Sequence, residues 1–199
     1  MNKEKESDAV LKETARRLKW LLKSDDSTVK ARLAELRHGI GSIPGSVPAL
    51  WGMVFDDLPE SMLGSYGKPS KEEWAIYDAL TLYALHQQGK DPAKKNMNVK
   101  GISLGRAAGK YVYALGGTSD DRERVSRRFN QIALAADIET LTYYLRTFIP
   151  LLRGEDIGLD YAMMAQDIYL FQTENNIASV RLRWGQDYYS VNKEEKENE

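Results

Sequence analysis

Apolar residues recur along this chain at steps of three and four and alternate almost nowhere, so the pattern predicts helices throughout. The segment Ser119–Ala136, SDDRERVSRRFNQIALAA, shows it most clearly. Val125, Phe129, Ile132 and Ala136 fall at i, i+4, i+7 and i+11, the spacing of a stripe that faces a core. Arg124, Arg127, Arg128 and Gln131 fall on the opposite side at i, i+3, i+4 and i+7. One side packs and the other presents guanidinium groups outward. The plain explanation is a solvated face, because Asp120 precedes Arg124 by four and Glu123 precedes Arg127 by four. Such pairs each stabilise a helix by only ~0.3–0.5 kcal/mol. Arg122 and Arg128, however, have no acid three or four positions away.

Taken in order, the first helix is expected from Asp8 to Lys23, with Leu11, Ala15, Leu18 and Leu22 inward and Arg16, Lys19 and Lys23 outward. A second runs from Thr28 to His38 and stops at Gly39. A Gly- and Pro-rich loop then feeds a short helix from Pro48 to Phe55, with Trp51 turned inward. The loop lacks G-x-G-x-x-G spacing and no strand precedes it, so it is not read as a phosphate loop. Ser70 and Glu73 form a capping box that opens a helix apolar on most sides, a buried central element. His86 lies near its end, where the helix dipole favours a protonated imidazole.

Residues 90–101, KDPAKKNMNVKG, are polar and aperiodic and read as a long exposed loop that orders on meeting a partner. Ser103 caps the next helix, with Leu104, Ala107, Ala108, Tyr111 and Leu115 inward and Arg106, Gly109, Lys110 and Tyr113 outward. Gly101, Gly105 and Gly109 form a row of small residues that permits close helix packing. Asp137 caps a further helix that Pro150 should kink or end and Gly154 stops. Tyr161, Met164, Ala165 and Ile168 keep helical spacing after it. Val180, Leu182 and Trp184 alternate like a strand, but no other segment could pair with one, so 177–189 is read as helical. The expected fold is therefore all-α, a compact bundle of about eight to nine helices. It forms a single domain over 1–192 with lobes at roughly 8–117 and 118–190, followed by a charged disordered tail at 193–199.

Charge changes the picture through its distribution. The 199 residues carry a formal net charge of −1, yet residues 90–128 hold ten basic side chains against four acidic ones, +6 locally and −7 for the remainder. A basic patch on an acidic body suits a polyanion. Its candidate contacts are Arg106, Lys110, Arg122, Arg124, Arg127 and Arg128, with Lys94, Lys95 and Lys100 on the loop. There is no Cys, which removes disulfides, thiolate metal sites and cysteine nucleophiles. The two His have no metal-ligand spacing, and the carboxylates have helix-cap or surface explanations, so no catalytic residue, metal or cofactor is expected. A charged first decapeptide and the lack of a long apolar run point to a cytoplasmic protein without a membrane partner.

LYALHQQ (82–88), GISLGRAAG (101–109), RERVSRRFNQI (122–132), YLR (144–146), GLDYAMMAQDI (158–168) and WGQDYY (184–189) together resemble the small-subunit family of the type I-E CRISPR Cascade complex, the CasB family. The resemblance spans most of the chain. It implies an all-helical, non-catalytic protein, present in two copies along the belly of an RNA-guided surveillance complex. There it would contact the other subunits and help hold the guide RNA, the target DNA and the displaced non-target strand. Arg106, Arg127 and Arg128 lie in matching blocks, whereas Lys94, Lys95, Lys100 and Lys110 rest on charge alone. Arg grips phosphate oxygens bidentately, and Tyr113 would offer a stacking face to a single strand. Two other classes remain open from the residues themselves: a helical DNA-binding regulator, with the Gly116-Gly117 turn between two basic helices, and a protein-binding scaffold whose basic face meets an acidic partner.

Overall fold

The structure, a computed structural model, describes residues 3–197. Nine helices are found among them: α1 (Lys3–Leu21), α2 (Asp26–His38), α3 (Trp51–Val54), α4 (Lys71–His86), α5 (Leu104–Ala114), α6 (Ser119–Ala133), α7 (Ile138–Gly154), α8 (Tyr161–Phe171) and α9 (Glu174–Glu197). Two single 3-10 turns, Pro48–Leu50 and Glu60–Met62, lie in the long loop between α2 and α4. The described residues form isolated bridges but no strand, and the all-α reading holds. One core draws on helices from both sides of residue 117, since α1 and α4 pack on α8, α4 also packs on α7, and α5 packs on α9. α9 continues to Glu197, into the charged segment expected as a tail, whose residues 198–199 lie outside the described residues.

α4 is the buried axis. Its capping box is formed as expected: Ser70 Oγ accepts from the Glu73 amide at 2.9 Å, and the Glu73 carboxylate accepts from the Ser70 amide at 2.7 Å. Halfway along, Asp78 accepts a 2.6 Å hydrogen bond from the Thr142 hydroxyl of α7. Burial pushes its carboxyl up to about 7, partly offset by that bond. At the far end the structure corrects the expectation for His86. The ring is fully buried with Nδ1 2.9 Å from the Tyr161 hydroxyl, and burial, then Arg153 and Lys90, push its pKa down to about 3. It is neutral at physiological pH, because desolvation outweighs the helix dipole.

Other departures share one cause: polar side chains that found partners inside. α1 is turned by about a residue from the predicted stripe, burying Val10, Thr14, Arg17, Leu18 and Leu21, while Leu11 and Leu22 are half-buried and Ala15 is exposed. Thr14 donates to Val10 O at 2.8 Å, and Arg17 donates to Val54 O at 3.0 Å and Asp56 O at 2.7 Å. Residues 90–101 are also ordered within the chain alone. Gln87 binds the loop from both sides of its amide, donating to Lys90 O and Lys95 O and accepting from the Met97 amide, while Met97 is fully buried. α7 runs through Pro150 and ends at Gly154. Trp51, expected inward, is exposed, and its Nε1 donates to Gly45 O at 2.8 Å.

At the junction of α5, α8 and α9 the chain packs backbone against backbone. Gly105 and Gly109 lie so close to α9 that a Cβ would come within 2.1 Å of Trp184 O and 2.7 Å of Tyr188 O. Gly109, expected outward, is therefore covered by the chain's own last helix. Ser103 Oγ donates to Asp187 at 2.6 Å, and Asp160 caps α8 while accepting from the Gly101 amide at 2.8 Å. Asp167 accepts from Trp184 Nε1 at 2.6 Å and pairs with Arg183. Burial raises its carboxyl to about 6, against the pull of Arg183 and Trp184. The strand-like alternation of 180–184 is resolved as helix, with Val180, Trp184, Tyr188 and Val191 buried and Leu182 exposed.

Candidate nucleic-acid interface

α6 is set by a sharp turn in which Gly116 and Gly117 both take positive φ, and by a capping box between Thr118 and Asp121. It packs on α5 and α7 through Val125, Phe129 and Ile132, and Phe129 stacks on Tyr188 with ring centroids 5.4 Å apart. Helix geometry then puts Arg124, Arg127, Arg128 and Gln131 on the exposed side. The helix ends three residues earlier than predicted: α6 closes at Ala133, leaving Ala135 buried and Ala136 exposed.

The ion pairs on this face differ from the simple spacing. Arg124 pairs with Asp121 at 2.8 Å rather than with Asp120, because the Thr118 cap draws Asp121 into place. The Thr118 hydroxyl, and after it Arg124, hold the Asp121 carboxyl below its usual range. Arg127 pairs with Glu123 at 2.8 Å, while Arg128 makes no ion pair among the described residues. Exposed pairs of this kind contribute about 0–1 kcal/mol and yield readily to a phosphate.

Beside Arg128 the structure opens a groove of about 270 Å³ between α6 and α7, lined by Arg128, Gln131, Tyr144, Thr147 and Phe148. Tyr144 meets the exposed Tyr143 edge to face, with centroids 5.5 Å apart. A guanidinium, an amide, a hydroxyl and an aromatic ring thus converge, a set that suits a phosphate and the base beside it. Tyr144 and Thr147 are not among the sequence candidates, since the helical spacing of α7 marks its buried residues Leu141, Leu145 and Phe148. Their i, i+3 spacing on the other face was the available signal.

The remaining candidates separate into groups. Arg106 is half-buried and Lys110 exposed on α5, next to α6. Arg122 lies over the Tyr113 ring at 5.2 Å, so that face of the ring is taken by a residue of the same chain and is not open to a base. Lys94 and Lys95 lie elsewhere, Lys94 3.8 Å from Asp91 and Lys95 3.9 Å from Asp156, beyond the end of α7. Lys100 is exposed just before the Gly101 contact to Asp160. The nine residues therefore do not form one stripe: Arg124, Arg127 and Arg128 share the outer face of α6, Arg106 and Lys110 belong to α5, Arg122 lies over Tyr113, and the loop lysines lie apart from all of these.

Among the described residues no group of three or more His, Asp and Glu side chains could hold a metal ion, and no helix is long and apolar enough to cross a membrane. No curated protein sequence matches the chain. Among solved structures, CasB from Thermobifida fusca is 28% identical, with a TM-score of 0.72 over 90% of this chain and 97% of that one. CasB from M. ruber is 21% identical, with a TM-score of 0.66 over 94% and 97%. A chain of a CRISPR RNA-guided surveillance complex is 19% identical, with a TM-score of 0.69 over the full length of both. At these last two identities the likeness concerns the fold. The family model for CRISPR-associated protein Cse2 matches residues 32–189, so the chain belongs to the Cse2 (CasB) family.

Proposed function

We propose that this protein is a non-catalytic, cytoplasmic subunit of an RNA-guided CRISPR surveillance complex and stabilises the R-loop through sequence-independent contacts to phosphates. The carrying observation is the outer face of α6 with the groove beside it, where Arg128, without an ion pair among the described residues, adjoins Gln131, Tyr144 and Thr147. Replacing a DNA duplex by a guide–target heteroduplex is nearly balanced in energy, so a few added phosphate contacts tip the exchange. Family membership supports the reading, as does the likeness to a chain of a solved surveillance complex. Its partners are the guide RNA, the target and non-target DNA strands, the other Cascade subunits and a second copy of itself.

The regulator reading has less support. A recognition helix enters the major groove by its N-terminal residues. Here the first turn of α6 carries Asp120 and Asp121, which repel phosphates and are built into the cap. The test is co-expression with the other subunits and a guide RNA, followed by purification through a tag on this chain. Recovery of guide RNA and protein backbone in fixed stoichiometry supports the proposal. Recovery of the chain alone, together with gel shifts that prefer one duplex sequence by orders of magnitude, contradicts it.

A further inference from the structure

α9 does not stop where it packs on α5; it runs on to Glu197 through the sequence NKEEKE (192–197). Glu194, Glu195 and Glu197 therefore stand at the C-terminal end of a helix, where the dipole favours cations and not acids. Two of the three share a face that the packing identifies. Asp187, Tyr188 and Val191 supply the atoms that a Cβ on Gly105 or Gly109 would meet. Glu194 and Glu195 follow Val191 by three and four positions, and Asp187 and Tyr188 by seven, which keeps them on that face of the helix. Lys193 and Lys196 follow Val191 by two and five and fall on the other side.

The neighbours of this face follow from register. Gly105 lies against Trp184 and Asp187, and Gly109, four residues on, lies against Tyr188 and Val191, also four residues on. The two helices therefore run parallel and in step, and a further step of four sets position 195 level with Tyr113. α6, returning from the turn at Gly116 and Gly117, reaches the same level from the other direction. Its Phe129 stacks on Tyr188 with ring centroids 5.4 Å apart. Arg122 is seven residues before Phe129 and Glu195 seven after Tyr188, about 10 Å along each axis at ~1.5 Å per residue. Arg122 lies over the Tyr113 ring at 5.2 Å, and it lowers the pKa of Tyr188, which burial and then Tyr189 raise. Arg106, Tyr113 and Arg122 all have partners within the chain.

The other charges nearby leave this corner basic. Asp187 accepts from Ser103, and Asp121 is held by the Thr118 cap and Arg124. Glu123 pairs with Arg127, and both it and Asp120 lie off the Arg122–Ser126–Phe129 line. Arg106, Lys110 and Arg122 are the cations. We propose that the acidic end of α9 stands in for phosphate, screening Arg122 and Tyr113 from nucleic acid until a strand displaces it. This rests on the function proposed above and concerns the control of that same surface. Ion pairs at an exposed helix end are weak. A strand already held by the outer face of α6 displaces the acids, whereas a stray contact does not. Displacement uncovers a guanidinium and an aromatic ring together, the groups that suit a phosphate and the base beside it.

The test titrates random-sequence single-stranded DNA, at several salt concentrations, against full-chain wild type, Glu194→Gln/Glu195→Gln, Arg122→Ala and the triple variant that combines them. Gln matches Glu in length and helix propensity, so helix content should not change. The Gln pair should bind about fivefold tighter, with a slope of log affinity against log salt steeper by about 0.7, the value of one added phosphate contact on a single strand. Arg122→Ala alone should change affinity by less than about twofold, because the arginine is screened, and in its background the two Gln substitutions should have no effect. A chain ended at Asn192 removes the acids without relying on Gln and should tighten binding likewise. Glu35→Gln/Glu60→Gln removes the same charge from exposed positions on α2 and the loop before α4 and should leave affinity within about twofold. Unchanged affinity and slope in both acid-lacking variants would refute the screen and leave the proposed function standing. So would equal tightening by Glu35→Gln/Glu60→Gln, or a large loss of affinity on Arg122→Ala alone. If the assembled complex holds target DNA equally well with and without this subunit, the proposed function fails and this inference with it.

Discussion

The outer face of α6 and the junction of α5, α8 and α9 both carry residues from the blocks that resemble the CasB family, and they use their charged groups in opposite ways. At the junction Asp160, Asp167 and Asp187 are tied to backbone amides or to Trp184, Arg183 and Ser103, and two glycines let α9 lie directly on α5. On the outer face of α6 Arg124, Arg127 and Arg128 are exposed, two in ordinary surface pairs and one with no ion pair among the described residues. Most of what makes the sequence recognisable therefore holds helices together. The groups that suit a polyanion take little part in holding the fold, so the proposed function expects their substitution to be felt in binding and not in stability.

The largest effect should come from the junction. Gly105→Val places side-chain atoms where Trp184 O already sits, and is expected to destabilise the protein by about 3 kcal/mol or more in urea unfolding. Little change there would mean α9 moves away freely and the junction is not what fixes the fold. Asp167→Ala leaves the Trp184 indole and Arg183 without their acceptor inside the protein, for an expected loss of about 2–3 kcal/mol. Asp78, buried outside the junction, extends the contrast through pH. Its folded pKa of about 7 lies above the ordinary carboxylate value, so the stability it confers is full below about pH 4 and is lost as pH rises through 7. Asp78→Asn cannot titrate, and relative to wild type it should gain on the order of 4 kcal/mol between pH 4 and 8. A flat difference curve would show that Asp78 stays ionised in the folded protein.

On the exposed side, Tyr144→Ala should leave unfolding within about 1 kcal/mol of wild type while weakening single-stranded DNA binding roughly tenfold. Tyr144→Phe separates the two uses of the ring: retained affinity means stacking, lost affinity means the hydroxyl bonds a phosphate.

Much of the fold was legible in the sequence because its signals are local. The Ser70, Ser103 and Asp137 caps, the continuous apolar character of α4 and the Val125–Phe129–Ile132 stripe follow from helix period and cap chemistry, and each is found in place. Long-range satisfaction of polar groups was not legible. Nothing near Arg17 announces that carbonyls some forty residues away would draw it inward. Nothing near His86 points to Tyr161. The basic face of α6 was readable as a helical face, but the groove beside it needs α7 at its side. Tyr113 looked open until the turn at Gly116–Gly117 brought Arg122 back over it.

The most direct measurement is the salt dependence of target-DNA binding by complexes assembled with wild-type protein or with the Arg127→Ala/Arg128→Ala double variant. Neither residue lies on the buried stripe and Ala is the better helix former, so the variant should keep wild-type helix content and a stability within about 0.5 kcal/mol. If both arginines hold phosphates, the slope of log affinity against log salt should fall by roughly 1.4–1.8, at about 0.7–0.9 per contact, with guide-RNA loading little changed. Full affinity and an unchanged slope in a normally folded double variant would mean that the face of α6 meets only water.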